Sequence, residues 1–227
     1  KAKLLAYDGQ PLPEPRDVLQ SPLLLGPAQR VDLLVVPDEG FSVEEVSGDD
    51  GFAFLKFNLG GGTSDPVPVP AISQNSILEP DLENATLHSL AMEGGAMGGR
   101  AAIRHKGQIL EREQIMATGQ FWIMNGNAGL TDDPFFRAKR GETVIVEVVN
   151  DTAFAHAMHT HGHHFRILER EGRSLEDADL WRDTFLVGPR ETTRIAFVAD
   201  NPGKWLFHCH MLEHAAAGMN TWFEVIG

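Results

Sequence analysis

A single cysteine set between two histidines constrains this chain more than any other feature. It lies in Trp205-Leu206-Phe207-His208-Cys209-His210-Met211-Leu212-Glu213-His214, with Gly218 and Met219 just beyond. It is the only cysteine in 227 residues, and three of the ten histidines share its stretch. Successive side chains of a strand point to opposite faces. A strand over residues 204–210 therefore puts His208 and His210 on one face and Cys209 on the other. His214 and Met219 follow Cys209 at steps of five, so one loop can return two more ligands to the sulfur. A cysteine thiolate, imidazoles and a weak methionine thioether are the donors of a blue-copper electron-transfer site, which has two histidines. One more histidine is needed.

It is available upstream, in His156-Ala157-Met158-His159-Thr160-His161-Gly162-His163-His164-Phe165. On a strand His159 and His161 share one parity and His156 has the other. Pairing the two segments groups His156, Cys209, His214 and Met219 on one side. His159, His161, His208 and His210 gather on the opposite side. A lone histidine is ordinarily a surface or core residue, and a lone cysteine a small buried hydrophobe. Eight ligand-type residues in two complementary parity patterns argue against that reading. Zinc is the next alternative, but zinc favours closed Cys/His tetrahedra with tighter spacing and no methionine.

The two segments resemble the paired copper motifs of the multicopper oxidases, the family of laccases, bacterial cuprous oxidases and ascorbate oxidase. The spacing matches at all eight positions. The resemblance implies an all-β, cupredoxin-like Greek-key β-sandwich that binds copper. By position, His156, Cys209, His214 and Met219 would hold a type 1 copper, His159 a type 2 copper, and His161, His208 and His210 a type 3 pair. His163 and His164 match no family ligand and read as packing or supporting residues. Met158 and Met211 read as core.

The chain in order reads as short strands separated by Gly/Pro turns. Residues 1–6 and 29–36 read as strands, with Asp8-Gly9 a turn, and residues 11–27, with five prolines, as an irregular connection. Residues 51–59 alternate like a strand. The segments around Gln10 and 25–35 resemble, more loosely, the end of the family's middle domain. The expected division is 1–70 as the C-terminal part of such a domain, 71–117 as linker and irregular segment, and 118–227 as the copper-bearing domain. Within 81–118, His88, Met92, Met97, His105 and Met116 are thinly spaced. Soft thioether ligands need several partners, so a loop plus an opening strand is expected there, in preference to a copper(I)-handling insert. Residues 141–150 are β-branched and bounded by turn formers. Further strands are expected at 165–169, 181–187, 191–199 and 221–226, with turns at Asn125-Gly126 and Gly172 and a short helix near 211–216.

The formal net charge of -13 disfavours nucleic acid and anionic membranes as partners. No run approaches the ~20 apolar residues of a membrane span. One cysteine excludes an internal disulfide, so cysteine usage does not fix the compartment. The chain starts at Lys1 within an apparent strand and carries no signal peptide. It is expected to be the C-terminal part of a longer, periplasmic or secreted protein.

The resemblance implies an oxidoreductase. A small-molecule reductant would give single electrons to the type 1 copper, and the His208-Cys209-His210 peptide would lead them to a three-copper cluster reducing dioxygen to water. Met219, where some relatives have Leu, implies a moderate potential. That cluster takes eight histidines in the family, and four match here. The remainder would come from the N-terminal part of the same enzyme or from a second chain. Asp151, Thr152 and Phe154 fall where the family's cuprous oxidases carry acidic and methionine residues. The apolar Phe154 favours a phenolic or other aromatic reductant over copper(I). A cupredoxin that only transfers electrons, or a copper-storage protein, are the readings from other classes.

Overall fold

A computed structural model describes residues 1–48, 50–60, 72–95, 102–171, 173–174 and 180–227. The chain divides into two compact units, one of residues 1–25 and 30–75 and the other of residues 26–29 and 76–227.

The first unit holds β1 (Ala2–Tyr7), β2 (Gln10–Asp17), β3 (Val31–Val35), β4 (Phe41–Glu45) and β5 (Phe52–Phe57). The first three form a sheet in the order β2-β1-β3, and β4 pairs with β5. β1 alternates as its sequence demands, burying Ala2, Leu4 and Ala6. The connection expected over 11–27 is corrected here, because residues 10–17 form β2. Its Pro11, Pro13 and Pro15 occupy alternate positions of an edge strand, where missing donors fall on one side and need no partner. The Asp8-Gly9 turn has φ of 48° and 77°, the two positive values that a tight hairpin turn requires.

The second unit begins its regular structure with a 3₁₀ turn at Leu82–Asn84 and β6 (Thr86–Gly94). It continues with β7 (Arg104–His105), β8 (Gln108–Ile109), α1 (Arg112–Thr118), β9 (Trp122–Met124) and β10 (Arg137–Lys139). Next come β11 (Thr143–Asn150), β12 (His156–Thr160), β13 (Phe165–Arg170), β14 (Arg173–Ser174), β15 (Trp181–Arg182) and β16 (Thr184–Val187). The chain closes with β17 (Thr192–Val198), β18 (Gly203–Cys209), α2 (Leu212–Ala216) and β19 (Asn220–Ile226). One sheet runs β10-β19-β18-β12-β16, and the other β14-β13-β17-β11-β6-β9, with β15 against β13.

Within the stretch 71–117 expected as linker and irregular segment, the described residues include β6, β7, β8 and α1. β6 lies parallel to β11 along seven residue pairs, from Thr86↔Val144 to Met92↔Asn150. Its LHSLAMEG sequence alternates weakly, and only its inner half is buried. Pairing with the strongly β-forming TVIVEVVN of β11 settles its conformation. α1 carries a reciprocal Glu111–Gln114 capping box and ends on Gly119 at φ +70°. The expected turn at Gly172 and Met97 lie outside the described residues.

The apolar faces of the two large sheets meet in one core. Phe165, Phe185, Phe197, Phe207 and Phe223 are fully buried in it, and Val144, Val146 and Val148 project into it from β11. Each such side chain contributes about 1.5–3 kcal/mol on burial. Met158, Cys209 and Met219 belong to the same cluster, so the sulfur-bearing residues sit in the hydrophobic interior.

Candidate metal centre

β12 and β18 run antiparallel with Met158↔Cys209 and His159↔His208 in register. Residues directly opposite share a face. Cys209 therefore lies on the core face with Met158 and, two residues before it, His156. His159, His161 and His208 point to the other side. The parity expected from sequence is the arrangement found.

The chain then returns to Cys209 twice. β18 ends at the cysteine, α2 carries His214, and the turn between α2 and β19 brings Met219 alongside. Met219 N donates to His214 O at 2.9 Å and Cys209 N to Met219 O at 3.0 Å, which ties the three residues together by backbone. Gly218 makes this return possible. Its φ is +112°, and an added Cβ would stand 2.4 Å from the Trp122 carbonyl oxygen.

Cys209 Sγ lies 3.8 Å from His156 Nδ1 and 3.7 Å from His214 Nδ1, and the two Nδ1 atoms are 3.0 Å apart. Cys209, His156 and Met219 are fully buried, and His214 is half-buried. Burial, then the nearby His214, pushes the pKa of His156 down to about 3. Burial also lowers His214 and raises the Cys209 thiol. At neutral pH the two imidazoles are uncharged and hold lone pairs, and a buried thiol waits for a cation to replace its proton. A soft sulfur with two imidazole nitrogens in a dry pocket fits copper. Trp122 packs on both rings, its centroid 5.0 Å from His156 and 4.5 Å from His214.

On the outer face, His161 Nε2 and His208 Nε2 are 3.1 Å apart. The His159 ring centroid is 4.8 Å from that of His161 and 5.7 Å from those of His208 and His210. His208 Nδ1 is 2.8 Å from its neighbour's carbonyl, Cys209 O, and His159 Nδ1 is 3.0 Å from Asp183 O. A carbonyl only accepts, so both Nδ1 atoms carry hydrogens and both Nε2 atoms keep lone pairs. Burial leads the lowering of His208, to about 4, and of His161. The structure thus brings all four outer-face histidines together.

A family profile for multicopper oxidases matches residues 106–226, more than half of the chain. The chain belongs to the multicopper oxidase family. Among its relatives, the multicopper oxidase MmcO of Mycobacterium tuberculosis is 34% identical over 105 residues, covering 46% of this chain and 20% of that protein. The iron multicopper oxidase fer1 of Mycosarcoma maydis is 33% identical over 101 residues, covering 39% of this chain and 16% of that protein. A solved multicopper oxidase from Pseudomonas thermotolerans superposes with a TM-score of 0.77 at 30% identity, covering 99% of this chain and 49% of that one. The chain thus spans about half the length of that solved structure and aligns with about a fifth of MmcO. The fold is the cupredoxin-like β-sandwich of these oxidases, and the family binds copper.

Two threonines beside these clusters were not singled out in the sequence as supporting groups. Thr152 Oγ1 is 2.8 Å from His156 Nε2, and Thr184 Oγ1 is 2.9 Å from His159 Nδ1. The signal was position: Thr152 precedes His156 by four residues, and Thr184 opposes His159 across β12 and β16. Other candidates fall away from both clusters. Met92 is fully buried in the core, as a packing residue is, and Met116 is exposed on α1. His88 stacks on Phe136 at 4.4 Å, and His105 Nδ1 bonds Ala128 O at 2.8 Å. His163 is buried among Phe197, Trp205 and Phe223, in keeping with a packing role. Among the described residues no helix is long and apolar enough to cross a membrane.

Proposed function

We propose that His156, Cys209, His214 and Met219 hold a type 1 copper, and that His159 (type 2) with His161, His208 and His210 (type 3) provide this chain's share of a three-copper centre. The observation that supports this reading most is the division at Cys209. Its sulfur faces two Nδ1 atoms in the core, while its covalent neighbours His208 and His210 face the other cluster. Copper, when bound, would supply one-electron oxidation of a reductant at the first site and four-electron reduction of dioxygen to water at the second. The protein's part is to keep the thiol and its imidazoles dry, to hold each ring nitrogen in its orientation, and to join the clusters by one residue of backbone. The other ligands of the three-copper centre would come from outside these 227 residues, in the same enzyme or a partner chain.

For the reductant we favour a phenolic or other aromatic compound. Phe154 is 36% exposed and packs edge-on against Trp122 at 5.6 Å, and Trp122 touches both imidazoles. The metal-oxidising alternative has less support. Met92 is buried, and Asp151 is paired with Arg190. The name of the fer1 relative keeps iron as the comparison to make. A periplasmic or secreted location accompanies this reading and is checked by fractionation.

The test is copper(II) loading with metal analysis, absorption and EPR. An intense blue band with about one tightly held copper in this chain is expected from the thiolate site. Absence of the band with Cys209 still reduced would overturn the assignment. Turnover of a phenol, iron(II) and copper(I) by the full-length protein then decides the reductant. Faster metal-ion turnover would reverse the preference.

A further inference from the structure

The first imidazole of the thiolate site is held from behind by a buried pair that the ligand motif does not include. Asn150, Thr152 and His156 have exposures of 1%, 0% and 0%. Water does not reach them, so the protein itself must meet their hydrogen-bonding needs.

The orientation of the pair follows from donor and acceptor counting. Asn150 Nδ2 faces three carbonyl oxygens: Phe154 O at 2.7 Å, Gly188 O at 2.7 Å and Val187 O at 3.4 Å. Carbonyls only accept, so the amide nitrogen must be on that side and Oδ1 on the other. Asn150 Oδ1 accepts the Thr152 N–H at 3.0 Å and lies 2.7 Å from Thr152 Oγ1. The hydroxyl has one proton. Its two acceptor-only neighbours are Asn150 Oδ1 and, farther away at 3.1 Å, Phe154 O. Either way the proton is used there, and the Thr152 oxygen has only lone pairs left. One accepts the Phe154 N–H at 3.2 Å. The other meets His156 Nε2 at 2.8 Å.

We propose that Asn150 and Thr152 are positioning residues that lock His156 in its Nε2-protonated form, leaving the Nδ1 lone pair aimed at the thiolate site. The proposal rests on the reading of His156 as a copper ligand. A hydroxyl polarised by Asn150 is a better acceptor than a free one. An imidazole donating to it is a stronger base at its other nitrogen. The pair therefore sets both which nitrogen reaches the metal and how strongly that nitrogen favours the oxidised ion.

The experiment compares the full chain with Thr152→Val, which keeps the shape and loses the acceptor, and Thr152→Ser, which keeps the hydroxyl. Nitrogen NMR of the metal-free protein reads the His156 tautomer. In wild type and Thr152→Ser the hydrogen is expected on Nε2. In Thr152→Val the Nδ1–H form should appear, copper(II) affinity should fall about 10- to 100-fold, and the reduction potential of the blue site should rise. Thr152→Ser should restore both. A wild-type His156 protonated at Nδ1 would overturn the proposal even if Thr152→Val fails to fold. So would a folded Thr152→Val with unchanged affinity and potential. A wild type that binds copper without a blue band, while His156 keeps its Nε2 hydrogen, would overturn the ligand reading and leave the lock standing.

Discussion

His156 and His214 stand 58 residues apart in sequence, yet their Nδ1 atoms lie 3.0 Å from each other, with Cys209 Sγ 3.8 and 3.7 Å away. The outer-face cluster uses the opposite ring nitrogen, since His161 and His208 approach through Nε2. The two clusters therefore differ in ring polarity as well as in sheet face. The difference comes from backbone carbonyls: Cys209 O and Asp183 O each hold an Nδ1–H on the outer face.

This separation predicts that the clusters can be disabled one at a time. Cys209→Ser should abolish the blue band on copper(II) loading and leave copper uptake by the outer histidines in place. His161→Ala should weaken outer uptake and leave the blue band intact. Metal analysis with EPR on both variants checks this. Loss of the blue band in His161→Ala would show that the clusters are not independent.

Gly218→Ala should damage the thiolate site without touching a ligand. The new Cβ meets the Trp122 carbonyl oxygen at 2.4 Å and Ala128 Cβ at 2.9 Å, and φ is +112°. A strained position of this kind costs about 1–3 kcal/mol. The loop that returns Met219 to Cys209 must shift to relieve it. Denaturant unfolding should show the loss, and the blue band should broaden or weaken. An unchanged spectrum would mean that the loop yields elsewhere.

Much of this site was legible because strand parity is a rigid rule: His156 and Cys209 had to face away from His159, His161, His208 and His210 once both segments were strands. The short helix at Leu212–Ala216 was also legible. β2 was missed because three prolines in eight residues argue against a strand unless it lies at an edge, and edges are set by tertiary pairing. An opening strand was legible within residues 81–118, but the bounds of β6 were not, because its conformation depends on pairing with β11, over 50 residues later. Thr152 and Thr184 were invisible as supports for a similar reason. A threonine carries no signal until the ring it touches is in place.

Met92 tests the difference between a soft ligand and a packing residue. Its side chain is fully buried, and its β6 position is paired with Met124 of β9. Met92→Leu conserves volume and should cost less than about 1.5 kcal/mol. Oxidation of copper(I) by the full-length protein should not change. A selective loss of copper(I) turnover with normal stability would give Met92 a metal-handling role.

The copper-free chain should lose stability as the pH falls below about 6.5, before its ordinary carboxylates titrate. His156 has a folded pKa of about 3 and His208 of about 4, both held down chiefly by burial, against an ordinary 6.5. Below 6.5 the unfolded chain takes up protons that the folded chain refuses. Acid therefore favours unfolding, down to about 4 for His208 and about 3 for His156. Above 6.5 both states hold neutral rings and the effect vanishes. For the fully buried His156 the limiting slope is about 1.4 kcal/mol per pH unit. Guanidinium unfolding at pH 7 and pH 5 should show a lower midpoint at pH 5, and His156→Gln should flatten the dependence. Equal midpoints would mean that the metal-free site opens and lets its imidazoles titrate like exposed ones. Copper should steepen the loss, since a proton competes with the metal for the same Nδ1 lone pair.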